Sequence, residues 1–230
     1  MALVEERPTA SATALPVADP APLGLAAFAL TTFLLSGHNA TFIPDLIWIG
    51  PALFYGGIAQ LLAGMWEFRN RNVFGATAFS TYGGFWLGLG IFVTLIVLSK
   101  SFAGAVTANK ADVPNALAWF LFAFAIFNLY MLLWSMRVNK AVFGVFLTLQ
   151  VTEILLVIGF FYEAHGHANN GWIHAGGWAG IVTAAVAWYA SAALVSGGMN
   201  DGNPILPVGR PLWTGTSLAA RRPAAAARAR

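Results

Sequence analysis

Six long apolar runs occupy most of this sequence and decide what it can fold into. A hydrocarbon core about 30 Å thick is crossed by about 20 apolar residues in a helix. Backbone polar groups cannot bond to water inside lipid, so such runs form helices. The runs are residues 22–39, 48–68, 77–98, 115–135, 141–162 and 172–196. The sequence therefore predicts an all-α integral membrane protein, a bundle of six transmembrane helices.

The composition excludes several classes of protein. Only 9% of the residues are charged, against roughly a quarter in ordinary soluble domains. The six runs leave no room for a soluble catalytic domain, so we do not expect an enzyme. The chain has no cysteine, which rules out disulfides and thiol catalysis. The first run is not expected to be a signal peptide, because about twenty polar and proline-containing residues precede it without a basic segment or a cleavage pattern.

Basic residues fall mostly on one side of the predicted bundle. If the N-terminus is cytoplasmic, only Lys100 and Lys110 lie outside. The inner segments then hold Arg7, Arg69, Arg71, Arg137, Lys140, Arg210, Arg221, Arg222, Arg228 and Arg230. By the positive-inside rule, both termini are expected in the cytoplasm and the protein in the cell (inner) membrane. Nothing in this charge pattern calls for nucleic acid.

Short connections between the runs favour one transmembrane domain, residues 19–200. We expect a disordered N-terminal tail at 1–18 and a cytoplasmic C-terminal tail at 201–230, whose basic end lies near anionic lipid. Glycine pairs recur at Gly56-Gly57, Gly83-Gly84, Gly176-Gly177 and Gly197-Gly198. Missing side chains let helix backbones approach closely in lipid, so these pairs predict packing sites, with a kink or gate as the alternative.

Two carboxyl groups lie in or beside the runs, where charge is costly. Glu153 is central in "LQVTEILLVIGFF" and is expected to be protonated or hydrogen-bonded. It either serves proton coupling or a substrate path, or makes an interhelical hydrogen bond. Glu67 ends the second run and is expected to be a structural anchor that pairs with Arg69 or Arg71.

The four histidines lie near the predicted outer face. His38 and His174 could ligate haem, and His165 and His167 in "YEAHGHANNGWIH" could bind a metal ion. No run carries a second facing histidine pair, and the loop spacing matches no strong metal pattern. We therefore expect no metal and no cofactor, and interpret these side chains as helix-terminal hydrogen bonds and parts of a hydrated loop.

Three motifs carry a resemblance to a known family. They are "DPAPLGL", "FYGGIAQLLAGMWEF" and "NVFGATAFSTYGGFW", in that order. Together they resemble the succinate–acetate/proton symporters, also called the acetate uptake transporter family, over residues 19–209. The resemblance implies a six-helix protomer, usually in a homohexamer. It also implies transport of acetate, and sometimes succinate, with a proton or by a channel-like route.

The resemblance further implies a narrow apolar constriction of Phe28, Tyr82 and Leu149. These residues lie 6, 5 and 8 positions beyond the predicted helix starts at 22, 77 and 141. At 1.5 Å per residue, all three are roughly 8 to 12 Å above the inner interface. One layer can therefore contain them; the alternative is three core or lipid-facing residues at equal depth by accident.

Position along the fifth helix gives Glu153 a candidate role. It is four residues beyond Leu149, so it lies on the same helix face and about 6 Å nearer the outside. A protonated Glu153 could donate to a passing carboxylate and exchange its proton, which makes it the proton-coupling candidate.

Candidate substrate-binding groups lie close to the same layer. They are Leu23, Gly24, Thr31, Thr32, Ser80, Thr81 and Tyr82. The first two would offer backbone N–H groups at the positive end of the first helix, and the others would offer hydroxyl groups. As an alternative, Thr31 and Thr32 bond to carbonyl oxygens of their own helix.

The start of the first helix departs from the family pattern. Asp19 stands where the family usually has Asn. It is expected to cap the helix, with Pro20 beside it and Pro22 at a first-turn position. A carboxylate cannot donate a hydrogen bond and would repel acetate, so we expect a structural role rather than substrate contact.

Two other functions stay open at this point. One is a membrane sensor or receptor that binds a carboxylate and moves nothing. The other is a haem-containing redox subunit. The expected partners of a transporter are a small carboxylate such as acetate or succinate, protons, the lipid bilayer and further copies of the chain.

Overall fold

The computed structural model describes residues 17–109, 111–167 and 171–214, and these contain six helices long and apolar enough to cross a membrane. A short helix, Lys100–Val106, follows the third of them. The six spans, numbered in chain order, are Ala21–Asn39, Ile49–Arg69, Val73–Leu98, Asp112–Ser135, Lys140–Ala164 and Gly171–Gly198. The predicted six-helix membrane fold is confirmed.

Two spans begin earlier than their apolar runs, because a polar residue caps each of these helices. The third span begins at Val73, four residues before the run, because the Asn72 side chain accepts a hydrogen bond of 3.1 Å from the N–H of Gly75. Asn139 caps the fifth span in the same way, at 2.9 Å from the N–H of Val142. Capping residues are polar and satisfy the first free N–H groups, so an apolar pattern starts after them.

The second span contains a wider π-helical turn at Phe54–Ala59, which the sequence analysis did not predict. Gly56 and Gly57 lie in this turn and are buried. A Cβ atom on Gly56 would come within 3 Å of the side chains of Thr31 and Trp86. The missing side chain therefore lets this turn pack closely against the first and third spans.

The spans are arranged in a ring, and small residues lie where neighbouring backbones pack closely. The first span packs against the sixth, the sixth against the fifth, and the fifth against the fourth, while the second packs against the third and the first. At Gly177 a Cβ atom would lie 2.5 Å from the nitrogen of Ala40 and 2.7 Å from the carbonyl oxygen of Ser36. Packing of the first span on the sixth therefore depends on this glycine.

Between the third and fourth spans, the helices contact each other through aromatic side chains. Phe85 of the third span lies 5.1 Å from Phe120 and 4.9 Å from Phe124 of the fourth, measured between ring centroids. Tyr82 lies 5.5 Å from Phe127. Edge and stacked ring pairs at these distances are attractive, so this wall is made of side chains rather than closely packed backbones.

The chain after the sixth span returns to the inner end of the bundle. The carbonyl of Val208 accepts a hydrogen bond from the N–H of Ala141, and that of Met136 accepts from Leu212 and Trp213. The Trp213 ring also stacks on Trp134 at 6.0 Å. Residues 201–214 of the predicted tail thus lie against the bundle. Most of the predicted N-terminal tail and residues 215–230 lie outside the described residues.

The Gly177 contact predicts a stability difference. Gly177→Ala should destabilise the protein by about 1–3 kcal/mol, since the added methyl group meets backbone atoms that cannot rotate away. The measurement is the thermal unfolding midpoint of the purified protein in detergent. Gly84→Ala is the matched control, because nothing lies within 4 Å of a Cβ atom there. Equal midpoints for the two variants would contradict this packing argument.

Candidate functional site: two cavities and the layer between them

A cavity of about 470 Å³ enters the bundle from the outer end. It reaches the surface, since Asp45, which lines it, is 59% exposed. Its deeper walls are mostly apolar and aromatic. Among its lining residues are Phe28, Thr32, Tyr82, Phe85, Leu149, Glu153 and Leu156, with His38, Asp45 and Glu163 at the outer end.

A second cavity, of about 180 Å³, enters from the inner end. Asp19 and Glu67 are its acidic lining residues. The others include Leu25, Asn70, Asn72, Phe79, Asn139 and Phe146. Among the described residues, neither lysine nor arginine lines either cavity. Each cavity therefore approaches the middle of the bundle without a fixed positive side chain.

The three predicted constriction residues lie where the two cavities approach each other. Phe28, Tyr82 and Leu149 line the outer cavity and are buried. The residues three positions earlier on the same helices are Leu25, Phe79 and Phe146, and all of these line the inner cavity. Three residues are nearly one helical turn. The side chains of one layer thus lie between the cavities.

Within this layer, Phe28 and Tyr82 are in direct contact. Their ring centroids are 5.6 Å apart in an edge-to-face arrangement. Leu149 follows Phe146, whose ring lies 6.5 Å from that of Tyr82. Tyr82 is therefore held on several sides by rings, while its hydroxyl group lies among the few polar atoms at this depth.

Glu153 lies one turn outward of Leu149 and also lines the outer cavity. Its side chain is only 3% exposed. Oε1 lies 3.4 Å from the Tyr82 hydroxyl group, and Oε2 is buried without a hydrogen-bond partner among the described residues. A buried carboxyl group at this depth in a membrane protein is a functional candidate.

Asn128 of the fourth span joins this group, and the sequence analysis missed it. It is fully buried, and its Oδ1 accepts a 2.9 Å hydrogen bond from the Tyr82 hydroxyl group. Its Nδ2 donates to Gln150 Oε1 and to the carbonyl oxygen of Phe146, both at 3.0 Å. A lone amide inside the apolar stretch "FAIFNLYML" was the signal that could have identified it.

The predicted substrate-binding groups separate into two sets. Thr32 and Tyr82 line the outer cavity, and the Thr32 hydroxyl group is buried without a hydrogen-bond partner in the part of the chain that the structure describes. Thr31 instead donates to the carbonyl of Ala27 at 3.0 Å, which is the alternative considered above. Thr31, Ser80, Thr81, Leu23 and Gly24 line neither of the two cavities.

The inner mouth is built around two carboxylates. Asp19 accepts a 2.9 Å hydrogen bond from the N–H of Ala21, the first residue of the first span, while the N-cap position itself is occupied by Pro20. Pro20 immediately precedes the helix, and the carbonyl of Pro22 accepts from the Ser191 hydroxyl group at 2.7 Å. This bond ties the start of the first span to the sixth.

Glu67 is fully buried in the inner mouth, where it accepts from Asn70 Nδ2 at 3.3 Å. The described residues contain no ion pair between Glu67 and Arg69 or Arg71, which corrects the predicted pairing. The chain turns at Asn70 and Arg71 directly after the helix ends. The buried carboxyl group is therefore met by the neighbouring amide instead of an exposed guanidinium group.

The histidines make separate local contacts. His38 Nε2 lies 3.6 Å from Asp45 Oδ1, and His165 Nδ1 lies 2.7 Å from the carbonyl oxygen of Phe161. His167 stacks on Tyr162, and His174 lies edge-on to Trp178. Within the described ranges, no three His, Asp or Glu side chains group closely enough to hold a metal ion.

Relatives of this chain are known in fungi and bacteria. Acetate permease A of Emericella nidulans is 40% identical over 212 residues, which cover 89% of this chain and 70% of the relative. The succinate-acetate/proton symporter SatP of Escherichia coli K12 is 36% identical over 198 residues, which cover 84% of this chain and 96% of the relative. This chain spans between 56% and 70% of the length of the fungal relatives it matches.

A solved structure gives the same result for the fold. The structure described as the bacterial acetate channel SatP matches with a TM-score of 0.72 and 35% identity, covering 84% of this chain and all of that one. The model of the GPR1/FUN34/yaaH family matches residues 5–204, which contain all six spans and both cavities. On this evidence, the chain belongs to the GPR1/FUN34/yaaH family.

Proposed function

We propose that this protein transports acetate, and other short-chain carboxylates such as succinate, across the cell membrane. The observation that carries the proposal is the arrangement of two cavities, one from each end of the bundle, on either side of the layer of Phe28, Tyr82 and Leu149. In the proposed path, this layer is the constriction that a substrate must pass. Protons accompany the substrate, and Glu153 is the candidate group that exchanges them.

The chemistry of the cavities supports a small weak acid as substrate. The methyl group of acetate is compatible with the aromatic and aliphatic walls, while the carboxyl group needs only a few donors, of which Thr32 is one. Without lysine or arginine in the walls, binding is expected to be weak and release rapid. Rapid passage requires a site that is occupied but does not trap its ligand.

The names of three similar proteins support the same substrate. They describe an acetate permease, a succinate-acetate/proton symporter and an acetate channel. These names agree on permeation of acetate and differ on proton coupling. They describe no chemical conversion, in agreement with the prediction that the chain is not an enzyme, and they do not favour the sensor without transport.

A homohexamer is part of the proposal. It is supported by the family resemblance and by large apolar side chains that a single copy leaves exposed along the spans, such as Phe54, Trp119 and Leu133. Side chains of this kind face either lipid or a neighbouring copy.

Acetate uptake into proteoliposomes tests the function. With an inward proton gradient, vesicles containing the protein should take up labelled acetate faster than empty vesicles, which report passive entry of acetic acid. Unlabelled succinate should compete with the labelled acetate. Uptake no faster than in empty vesicles would contradict transport and favour the sensor.

Proton coupling is tested at Glu153. Glu153→Gln keeps the shape of the side chain and removes the exchangeable acid, so accumulation driven by the proton gradient should fall by about 10². Glu163→Gln is the matched control, since this carboxyl group is on the same helix at the wide outer end of the cavity. Unchanged accumulation in a well-folded Glu153→Gln protein would remove Glu153 from the mechanism.

Substrate size is tested at Leu149. Leu149→Ala should widen the constriction and raise the ratio of succinate flux to acetate flux by about tenfold, in the range that pocket contacts supply. The matched control is Leu147→Ala, because Leu147 is on the same helix but is 43% exposed. If the two variants give the same ratio as the unaltered protein, Leu149 is not in the constriction.

A further inference from the structure

Asn128 is a fully buried amide in the wall behind the constriction. It lines neither cavity, and its side chain meets Tyr82, Gln150 and the backbone of Phe146. It is therefore placed to act on the pore through Tyr82.

The partners of Asn128 fix the orientation of its amide group. A backbone carbonyl oxygen only accepts hydrogen bonds, so the atom 3.0 Å from the carbonyl oxygen of Phe146 must be the NH₂ group. The same group donates to Gln150 Oε1 at 3.0 Å. The oxygen Oδ1 consequently faces Tyr82, and since an amide oxygen also only accepts, Tyr82 is the donor in the 2.9 Å contact.

A tyrosine hydroxyl group carries one proton. In Tyr82 that proton is directed at Asn128, away from the cavity that Tyr82 lines. Glu153 Oε1 is also within hydrogen-bond distance of the Tyr82 hydroxyl group, at 3.4 Å, but since the single proton is used in the shorter contact with Asn128, Tyr82 mainly presents oxygen lone pairs in that direction. A carboxylic acid can donate to those lone pairs, whereas an ionised carboxylate meets them with repulsion and no proton between.

We propose that Asn128 is a positioning residue that makes Tyr82 a hydrogen-bond acceptor toward the pore, so that the constriction passes the undissociated acid rather than its anion. This inference rests on the proposed transport function. It adds to that function the form in which the substrate crosses, and it assigns that selectivity to a residue that does not touch the substrate.

Every proton is accounted for in the proposed transport cycle. An acetate anion in the outer cavity takes the proton of Glu153 and becomes acetic acid, which leaves Glu153 ionised. The acid crosses the layer with its hydroxyl group donating to the Tyr82 oxygen. A proton from the outer solution then restores Glu153. One proton and one acetate cross together, and no charge moves through the layer.

Other titratable groups face the same region. His38 and Asp45 of the first connection and Glu163 of the fifth span line the outer part of the cavity. Tyr130 of the fourth span stacks edge-on against Phe127, a neighbour of Tyr82. None of these is altered by a substitution at Asn128, so comparing the variants with the unaltered protein at each external pH cancels their contributions.

The test is the pH dependence of acetate uptake in Asn128→Leu proteoliposomes, with empty vesicles subtracted. Without Asn128, the Tyr82 hydroxyl group is free to donate to ionised Glu153 and stabilises it. Uptake should then require a more acidic outer solution, with the half-maximal pH lower by about one unit. Gln150→Leu, which leaves Asn128 Oδ1 facing Tyr82, should keep the original half-maximal pH. An unchanged half-maximal pH in folded Asn128→Leu protein would overturn the proposal.

A double variant separates positioning from a general loss of structure. In Tyr82→Phe protein the hydroxyl group is absent, so adding Asn128→Leu should shift the half-maximal pH no further. A further shift of similar size would show that Asn128 acts by another route, and would overturn the proposal.

Infrared spectroscopy supplies a measurement that does not need transport. The C=O stretch of a protonated carboxylic acid, assigned by its loss in Glu153→Gln, should disappear at a lower pH in Asn128→Leu than in the unaltered protein. The same pH for both would overturn the proposal even if uptake is too slow to measure. If the unaltered protein moves no acetate while the infrared shift is present, the proposed function fails and the positioning of Tyr82 by Asn128 stands.

Discussion

Close contact between small residues is the constraint on which the rest of this structure depends. Lipid tails are as apolar as the helices, so the spans gain little from hiding apolar surface and must pack closely. On the first and sixth spans the fully buried positions are small, among them Ala27, Ala29, Ala184 and Ala187. Gly177 meets the backbone of the first span directly. This contact packs the outer end of the first span closely against the sixth span, and the first span also carries Phe28.

Large side chains fill gaps between helices, whereas small residues let the helices pack closely. Between the third and fourth spans, and in the layer between the cavities, rings and branched side chains fill the space that the backbones leave. A wall made of side chains is easily altered by substitution, because each ring sets both the space between the two cavities and the position of its neighbours. Under the proposed transport function, a substitution in this layer changes the substrate size that passes without changing how the helices pack.

Polar groups are few at this depth. Tyr82, Asn128, Gln150 and Glu153 come from three spans and form one buried, hydrogen-bonded group. In a low-dielectric interior an unpaired polar atom is costly. The group therefore specifies how the third, fourth and fifth spans lie against one another, and it also specifies which side chains face the outer cavity.

Sequence reasoning succeeded where a property belongs to one helix. Apolar length gave the six spans, and counting from the helix starts gave a common depth for Phe28, Tyr82 and Leu149. The spacing of Leu149 and Glu153 correctly placed both on one face. Prediction from the sequence failed where a property depends on contacts made in the folded bundle. Glu67 binds Asn70 rather than an arginine, and the second span contains a π-helical turn.

By itself, the sequence determined that this chain spans a membrane six times and belongs among acetate-transporting relatives, because apolar length and short motifs are local in the chain. Only the tertiary structure decided that the outer and inner cavities approach each other at one layer. The tertiary structure also decided that the Tyr82 hydroxyl group donates its hydrogen bond to Asn128 of another span. The direction of a hydrogen bond between spans depends on how those spans rotate and pack against each other, and no single helix carries that information.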